Sequence, residues 1–443
     1  MSSERFMSQS RRAVITGCGA LTPIGNDAQT VWTSLSQGRS AVGPISAFDA
    51  SKLPCRIAGE VKDFVARKHL DNKNEIEKAM GKSLKLMART IQLGLIAAKY
   101  AMKDANLARG QYDPTRFGII FGSSLIAIEL DDIVQASQAA LNNPEMRVDM
   151  LAWGEKGIET IEPTWMLKYL PNMAACHVSV MFDLQGPSNS ITEDDVGSLN
   201  ALGEAVRHIG RGQADAFLVG GADSKISYLS QARHALFLPL SRRNDDPAGA
   251  CRPFDRHHDG MVFGEGATVL VVEELEHARK RGAKIMAEIV GFASAFDAKR
   301  DGSGLARAIR QAMKEAGIGP DDLDHVNGHG SAVPEMDRIE AKGIRLALGP
   351  ATDRVPVFAS KGYTGNLGPA SGVTEIGFEL IAQANGLLPP TINHQERDPD
   401  CPILVHAREL RPISRAYALK IGFTDLGQCA AVVLRKWSEP VAA

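Results

Sequence analysis

The sequence predicts an α/β fold built as two similar halves of one compact unit. Three observations point there. Short β-branched runs alternate with amphipathic stretches at helical spacing along almost the whole chain. Ala101-Met102-Lys103-Asp104-Ala105-Asn106-Leu107 resembles Ala312-Met313-Lys314-Glu315-Ala316-Gly317-Ile318, about 211 positions later in a chain of 443. Each copy ends a helical pattern and leads through an Asp-Pro or Pro-Asp turn into a short strand ending in glycine, Phe117–Gly122 or His325–Gly330. A repeat of half the chain signals two duplicated halves rather than a solenoid. No Pro- or Ser-rich linker separates them, so they are expected to share a core, with the boundary drawn between residues 1–277 and 278–443.

The elements follow in order. Residues 1–10 read as a frayed polar tail, and Arg12–Thr16 as a strand. Asn26 or Asp27 caps a helix that runs to about Gln37 and is closed by Gly38. Apolar residues at helical spacing predict a helix from Ser83 to about Asn106. Val196–Gly210 reads as a helix and Ala214–Gly220 as a strand. Strand Thr268–Val272 feeds a charged helix, Glu273–Arg281. Strand Ile285–Gly291 and helix Leu305–Ala316 come next, then strand Val355–Ala359 and helix Val373–Ala384. Ala416–Phe423 and Cys429–Arg435 read as the last long strands.

Composition removes several function classes. Fifty Lys and Arg against 52 Asp and Glu leave a net charge of −2, so no basic field invites nucleic acid. Six scattered cysteines form no C-x-x-C pair, which argues against a zinc knuckle or redox dithiol and suits a reducing cytoplasm. No run of about 18 apolar residues predicts a membrane span, and Met1–Arg12 has no apolar signal core. No metal or other cofactor is expected.

Several segments carry chemistry or its remains. Residues 186–195 read Gly-Pro-Ser-Asn-Ser-Ile-Thr-Glu-Asp-Asp and open a small-residue helix. Residues 252–267 read Arg-Pro-Phe-Asp-Arg-His-His-Asp-Gly-Met-Val-Phe-Gly-Glu-Gly-Ala. Residues 329–340 begin His-Gly-Ser-Ala-Val-Pro and end Asp-Arg-Ile-Glu. Residues 361–372 read Lys-Gly-Tyr-Thr-Gly-Asn-Leu-Gly-Pro-Ala-Ser-Gly, and Gly422-Phe423 follows near the C-terminus. In this order, and with the opening Val14–Gly25, these segments resemble the signatures of the β-ketoacyl synthase family over nearly all of residues 11–437. The resemblance implies a thiolase-like fold: two duplicated βαβαβαββ-type halves in a five-layer αβαβα core. It also implies acyl carrier protein as a partner and a homo- or heterodimer with a β-ketoacyl synthase.

An active member of that family joins a nucleophilic cysteine to two histidines and a supporting lysine. Here the resemblance places Asp195 at the cysteine, His329 at the first histidine, Asn366 at the second and Lys361 at the lysine. Glu340 and Asp259 stand at the supporting positions, and Phe423 at the gate. The two residues after the gate are Thr424-Asp425 in place of a Gly pair, and the loop after Asp297-Ala298 is short. A carboxylate would give a mixed anhydride instead of a stable thioester. At a helix N-terminus Asp195 is expected to be an anion, with Glu193 and Asp194 adding negative charge. Its first reading is a helix cap, with catalytic base and nucleophile as alternatives.

Blander readings cover the rest. Lys361–Glu340 reads as a buried structural pair, Cys176 and Cys251 as buried small hydrophobes, and His257-His258 as loop surface. The pattern of losses resembles chain-length factors of type II polyketide systems, which lack the cysteine, pair with an active synthase and shape its acyl tunnel. Residues 330–340 are similar to a run found in those factors, although they usually carry glutamine where Asp195 stands. The expectation is therefore a non-condensing subunit of fatty acid or polyketide synthesis. The alternative is an enzyme on carrier-bound acyl or malonyl groups, a decarboxylase or a synthase with an altered site.

Overall fold

A computed structural model describes residues 11–142 and 144–438. The tail expected at residues 1–10 lies outside the described residues. Ten strands form one continuous sheet. In chain order they are β1 Ala13–Leu21, β2 Phe117–Gly122, β3 Ser188–Ile191, β4 Ala216–Ser224 and β5 Glu265–Glu274, then β6 Ala287–Phe296, β7 Leu323–Asn327, β8 Val357–Phe358, β9 Tyr417–Phe423 and β10 Gln428–Lys436.

Across the sheet the order is β8-β7-β9-β10-β6-β1-β5-β4-β2-β3. The first five strands are thus permuted in the same way as the last five, which is the duplication the sequence repeat suggested. In each half the three outer strands are parallel and the two inner ones antiparallel. The halves join where β1 runs antiparallel to β6, with Ala13 opposite Ile289 and Ile15 opposite Ala287.

Period-2 alternation gives each half of the sheet an outer face covered by its own helices and an inner face on one shared layer of central helices, five layers in all. In β4, Phe217 and Val219 face the middle of the molecule, with Leu270 and Val272 of β5 and Val432 and Leu434 of β10. The middle layer is the helices Gly197–Gly210 and Ser371–Asn385, which carry Leu199, Leu202, Val373 and Ile376 into the same cluster. Ala216 and Leu218 turn the other way, onto the outer helices Arg89–Asp104 and Met173–Phe182. In the second half Leu419, Ile421 and Val433 meet the outer helices Ser303–Ala316 and Pro334–Leu348. The β1 glycines let a helix lie directly on the strand: a Cβ on Gly19 would stand 2.1 Å from the backbone N of Ala101.

Most expected elements are present, with Asp27 as the cap of helix Ala28–Ser36. The single helix expected from Ser83 is a 3₁₀ turn, Leu84–Leu86, then an extended break at Met87 and Ala88 before helix Arg89–Asp104. Ala88 at the break is extended, with ψ 162°, so the apolar spacing continues although the helix does not. Glu273 belongs to β5 rather than to the following helix, because its backbone pairs with Val14 of β1 and Ala216 of β4, while its carboxylate accepts from Thr16, His277 and Arg281. Helices Leu130–Ala139 and Tyr228–Phe237 were not expected from the sequence, and the second supplies Arg233, His234 and Phe237 to the rim of the site. No helix among the described residues is long and apolar enough to cross a membrane.

Candidate active site

The site lies where equivalent segments of the two halves meet. In the first half the chain leaves β3, makes a 3₁₀ turn at Asp194–Val196 and enters helix Gly197–Gly210. Asp194 sits at φ +42°, so the turn is sharp and directs Asp195 inward. In the second half the chain leaves β8, makes the short helix Lys361–Thr364, and passes Asn366 before helix Ser371–Asn385. The N-terminal turns of the two central helices touch: Val373 N donates to Ser198 Oγ at 3.2 Å. Asn366 is pinned to the long glycine-rich segment, its N donating to Val262 O (2.7 Å) and its O accepting from Gly264 N (2.8 Å).

Five expected residues converge: Asp195, Asn366, His329, Lys361 and Phe423. Asn366 Oδ1 accepts from Gly368 N and Ser371 Oγ, both at 2.9 Å, which fixes the amide and aims Nδ2 at Asp195 Oδ2, 3.2 Å away. His329 Nε2 lies 3.8 Å from the same oxygen. Lys361 Nζ uses its three protons on His329 O (2.7 Å), Glu375 Oε1 (2.7 Å) and His329 Nδ1 (3.2 Å). An ammonium only donates, so Nδ1 accepts and the imidazole proton sits on Nε2, facing Asp195. Phe423 packs edge-on against the His329 ring, with centroids 5.3 Å apart.

Burial dominates the electrostatics. It pushes the His329 pKa well below its ordinary value, helped by Lys361 and Lys420, so the ring is neutral. Burial, followed by repulsion from Asp194, pushes the Asp195 carboxyl up to about 7 against the pull of Lys361 and Lys225. The expected helix-terminus anion is therefore only partly ionised near pH 7. Asp195 is 8% exposed, and the dipole of one helix end does not offset that desolvation. Nor is Asp195 a cap. The helix begins from Val196 with no side-chain capping bond, and Asp195 Oδ1 has no hydrogen-bond partner.

The acidic neighbours are largely neutralised. Lys225 Nζ lies 3.0 Å from Asp194 Oδ1 and 3.3 Å from Asp223 Oδ2, and sits over the Phe263 ring at 5.3 Å. Glu193 accepts from Asn200. A cavity of about 300 Å³ opens from Asp195 and Asn366 toward Met261, Phe263, Met336 and Phe237, with Lys225 and Arg233 on its wall. The two altered loops also meet: Asp297 N donates to Gly427 O (2.7 Å), tying the short loop to the turn after Thr424-Asp425.

Other expectations are corrected. Lys361 pairs with Glu375, whereas Glu340 accepts the backbone N–H groups of His329 (2.6 Å) and Gly330 (2.8 Å), so it shapes the histidine turn from behind. Asp259 does not support Lys361; it accepts from Ser241 Oγ (2.8 Å) and lies 3.7 Å from Arg243. Cys176 is exposed, because Ala174, Ala175 and Val178 form the buried face of its helix. Cys251 is buried as expected. His258 is buried between Asp337 (2.9 Å) and Asp398 (3.3 Å), and only His257 is loop surface.

Lys225, Asp223, Glu375 and Lys420 are also at the site and were not expected from the sequence. Lys420 Nζ meets Glu375 Oε2 at 2.5 Å, so one buried carboxylate serves two lysines. The signal was available for two of them: Lys420 interrupts the apolar run of β9, and Glu375 the apolar stretch Val373–Phe378. A charge inside a buried run needs a partner. Among the described residues no cluster of three or more His, Cys, Asp or Glu is arranged to hold a metal ion.

Comparison with known proteins agrees with this architecture. Residues 10–278 match the beta-ketoacyl synthase N-terminal domain and residues 286–395 its C-terminal domain. The chain is 34% identical over 435 residues to 3-oxoacyl-[acyl-carrier-protein] synthase 2 of Synechocystis sp., covering 97% of this chain and 99% of that one. It is 33% identical over 437 residues to the enzyme of the same name from Staphylococcus aureus, covering 97% and 100%. A beta-ketoacyl synthase structure from Burkholderia phymatum superposes with TM-score 0.84 at 28% identity, over 97% of this chain and all of that one. The ishigamide ketosynthase/chain length factor gives TM-score 0.83 at 26% identity, with the same coverage. A type II PKS ketosynthase, solved with its acyl-carrier protein and bound to the hexaketide, gives 0.82 at 27% over the same spans. With its thiolase-like fold and both domains matched, the chain belongs to the β-ketoacyl synthase family of fatty acid and polyketide biosynthesis.

Proposed function

We propose that the protein is a non-condensing, chain-length-factor-like subunit that pairs with an active β-ketoacyl synthase and shapes its acyl tunnel. One observation carries this reading. Asn366 Nδ2 and His329 Nε2, the groups that a thioester oxygen would need, both face Asp195 Oδ2, at 3.2 and 3.8 Å. The side chain at the nucleophile position thus occupies its own donor site, and a carbanion forming there would meet a carboxyl instead of an oxyanion hole. The surrounding framework is intact, which suits a tunnel wall. An acyl carrier protein would then dock on the pair, with acyl transfer performed by the partner's cysteine.

Co-expression with a synthase that retains Cys, His and His tests the proposal. A stable heterodimer whose product length changes when Phe263 or Met336 is substituted is expected. Recovery of a homodimer alone, with product length independent of this chain, would overturn it.

A second reading has its own observation. A carboxyl near pKa 7, with Oδ1 unpartnered beside a cavity, is suited to general-base work at neutral pH. Hydrolysis or decarboxylation of carrier-bound acyl or malonyl groups would follow. Incubation with malonyl carrier protein decides: free malonate or carbon dioxide, abolished by Asp195→Asn, supports this reading, and intact malonyl carrier removes it.

A further inference from the structure

A second cleft, of about 790 Å³, lies at the outer edge of the second half and shares no lining residue with the cavity at Asp195. It forms because the chain after Thr391 folds back along β8. Val357 N donates to Leu404 O (2.7 Å), His406 N to Val357 O (2.8 Å) and Thr391 N to His406 O (2.6 Å). This return places four arginines from three segments, Arg354, Arg397 and the pair Arg408 and Arg411, around one opening.

Most of the nearby acids are paired, while Glu409 beside Arg408 is exposed. Glu396 pairs with Arg256 (2.7 Å) and His257 (3.0 Å), Asp398 with His258 (3.3 Å), Asp400 with Arg338 (3.3 Å) and Asp353 with Arg345 (3.1 Å). Arg354 and Arg411 each hold one carboxylate, of Asp321 and Asp324. Among the described residues Arg397 and Arg408 have no carboxylate within ion-pair distance, and both are exposed. Planar guanidinium forks match phosphate oxygens and stack on rings. The remaining lining mixes apolar Ile403, Val405 and Pro356 with the imidazoles of His394 and His406, the amide of Gln395 and the carboxylate of Asp353, which Arg345 holds at 3.1 Å. Burial lowers the pKa of both histidines, so they present neutral ring faces at pH 7.

We propose that this cleft binds a small molecule carrying two or more phosphate groups on a ring-bearing body. The volume falls in the range of small-molecule sites and exceeds what a bare diphosphate fills. The charge calls for more than one phosphate, and the apolar floor calls for a ring.

Titration of the full chain with ADP, inorganic pyrophosphate and inorganic phosphate by calorimetry tests it. ADP is expected to bind at least tenfold more tightly than pyrophosphate, and phosphate more weakly still. Arg397→Ala with Arg408→Ala should weaken ADP at least tenfold while leaving the Tm of the unliganded protein unchanged, since both side chains are exposed. No ADP binding at millimolar concentration overturns the proposal, as does binding that the double substitution does not weaken. Equal affinity for ADP and pyrophosphate also overturns it. So does protection of this face by an acidic carrier protein without ADP binding. None of these outcomes depends on whether Asp195 is catalytic.

Discussion

Asn366 and Asp195, bonded at 3.2 Å, stand at equivalent places in the two halves of the molecule, each on the segment between the third strand of its half and a central helix. The bond therefore ties the halves together where the family's chemistry would occur. Its partners are fixed from behind, Asn366 by Gly368 and Ser371, and His329 by Lys361.

Replacing the nucleophile alone should not restore condensation. In Asp195→Cys the thiol gains the helix N-terminus, but Asn366 does not replace a titrating histidine and Thr424-Asp425 still follows the gate. Proton transfer by a positioned titrating group contributes about 10²–10⁴ in rate, so condensation at least about a hundredfold below an intact synthase is expected. Mass spectrometry of acyl adducts and a carrier-protein assay check it; robust turnover by the single variant would contradict the argument.

Asp195 should make the protein less stable as pH rises. Its pKa is about 7 in the fold against roughly 4 unfolded. A raised pKa means the stabilisation of the neutral form is complete below pH ~4 and is lost as pH rises through about 7. The Tm of the wild type relative to Asp195→Asn should therefore fall between pH 4.5 and 7.5. Parallel melting curves across that range would refute it.

His325 should act in the alkaline range. It is buried between Asp324 (3.0 Å) and Glu379 (2.7 Å). Burial opposes its charge, but the two carboxylates prevail and raise it to about 9. Its stabilisation is full below roughly pH 6.5 and disappears as pH passes about 9. His325→Gln should be less stable than wild type at pH 6, with the gap closing above pH 9 in denaturant titrations. A gap that is constant with pH would count against this assignment.

Glu375 should be the most costly charge to remove. It is bound to both Lys361 and Lys420, so Glu375→Ala leaves two buried ammonium groups without their carboxylate. Breaking a buried pair in this way costs about 3–5 kcal/mol. Urea unfolding should show that loss, and Asp259→Ala, at the half-exposed pair with Arg243, should show less than about 1 kcal/mol. Equal effects would place Asp259 back at the site.

Phe423→Ala should both destabilise the core, by about 3–5 kcal/mol, and free the His329 ring. The second effect is read separately, as faster modification of His329 by diethyl pyrocarbonate at pH 6.5. An unchanged modification rate would show that the gate does not cover the ring.

Much of this protein was legible in its sequence because the deciding signals are local. Alternation of apolar residues placed the strands, Asp27 marked a cap, and the half-chain repeat announced a duplication whose strand permutation recurs in the sheet. Glycine-rich motifs in fixed order brought Asp195, His329, Lys361, Asn366 and Phe423 onto one list, and the fold brings them to one place. What the sequence did not determine was which groups face each other and how dry they are. Lys361 could not be assigned to Glu375 over Glu340, nor Lys225 to Asp194, since those partners come from strands and helices joined only in the tertiary structure. How far Asp195 is ionised was not legible for the same reason. Helix position is read from neighbours in the chain, whereas desolvation and repulsion are set by every element that closes over the carboxyl, and here they outweigh the helix end.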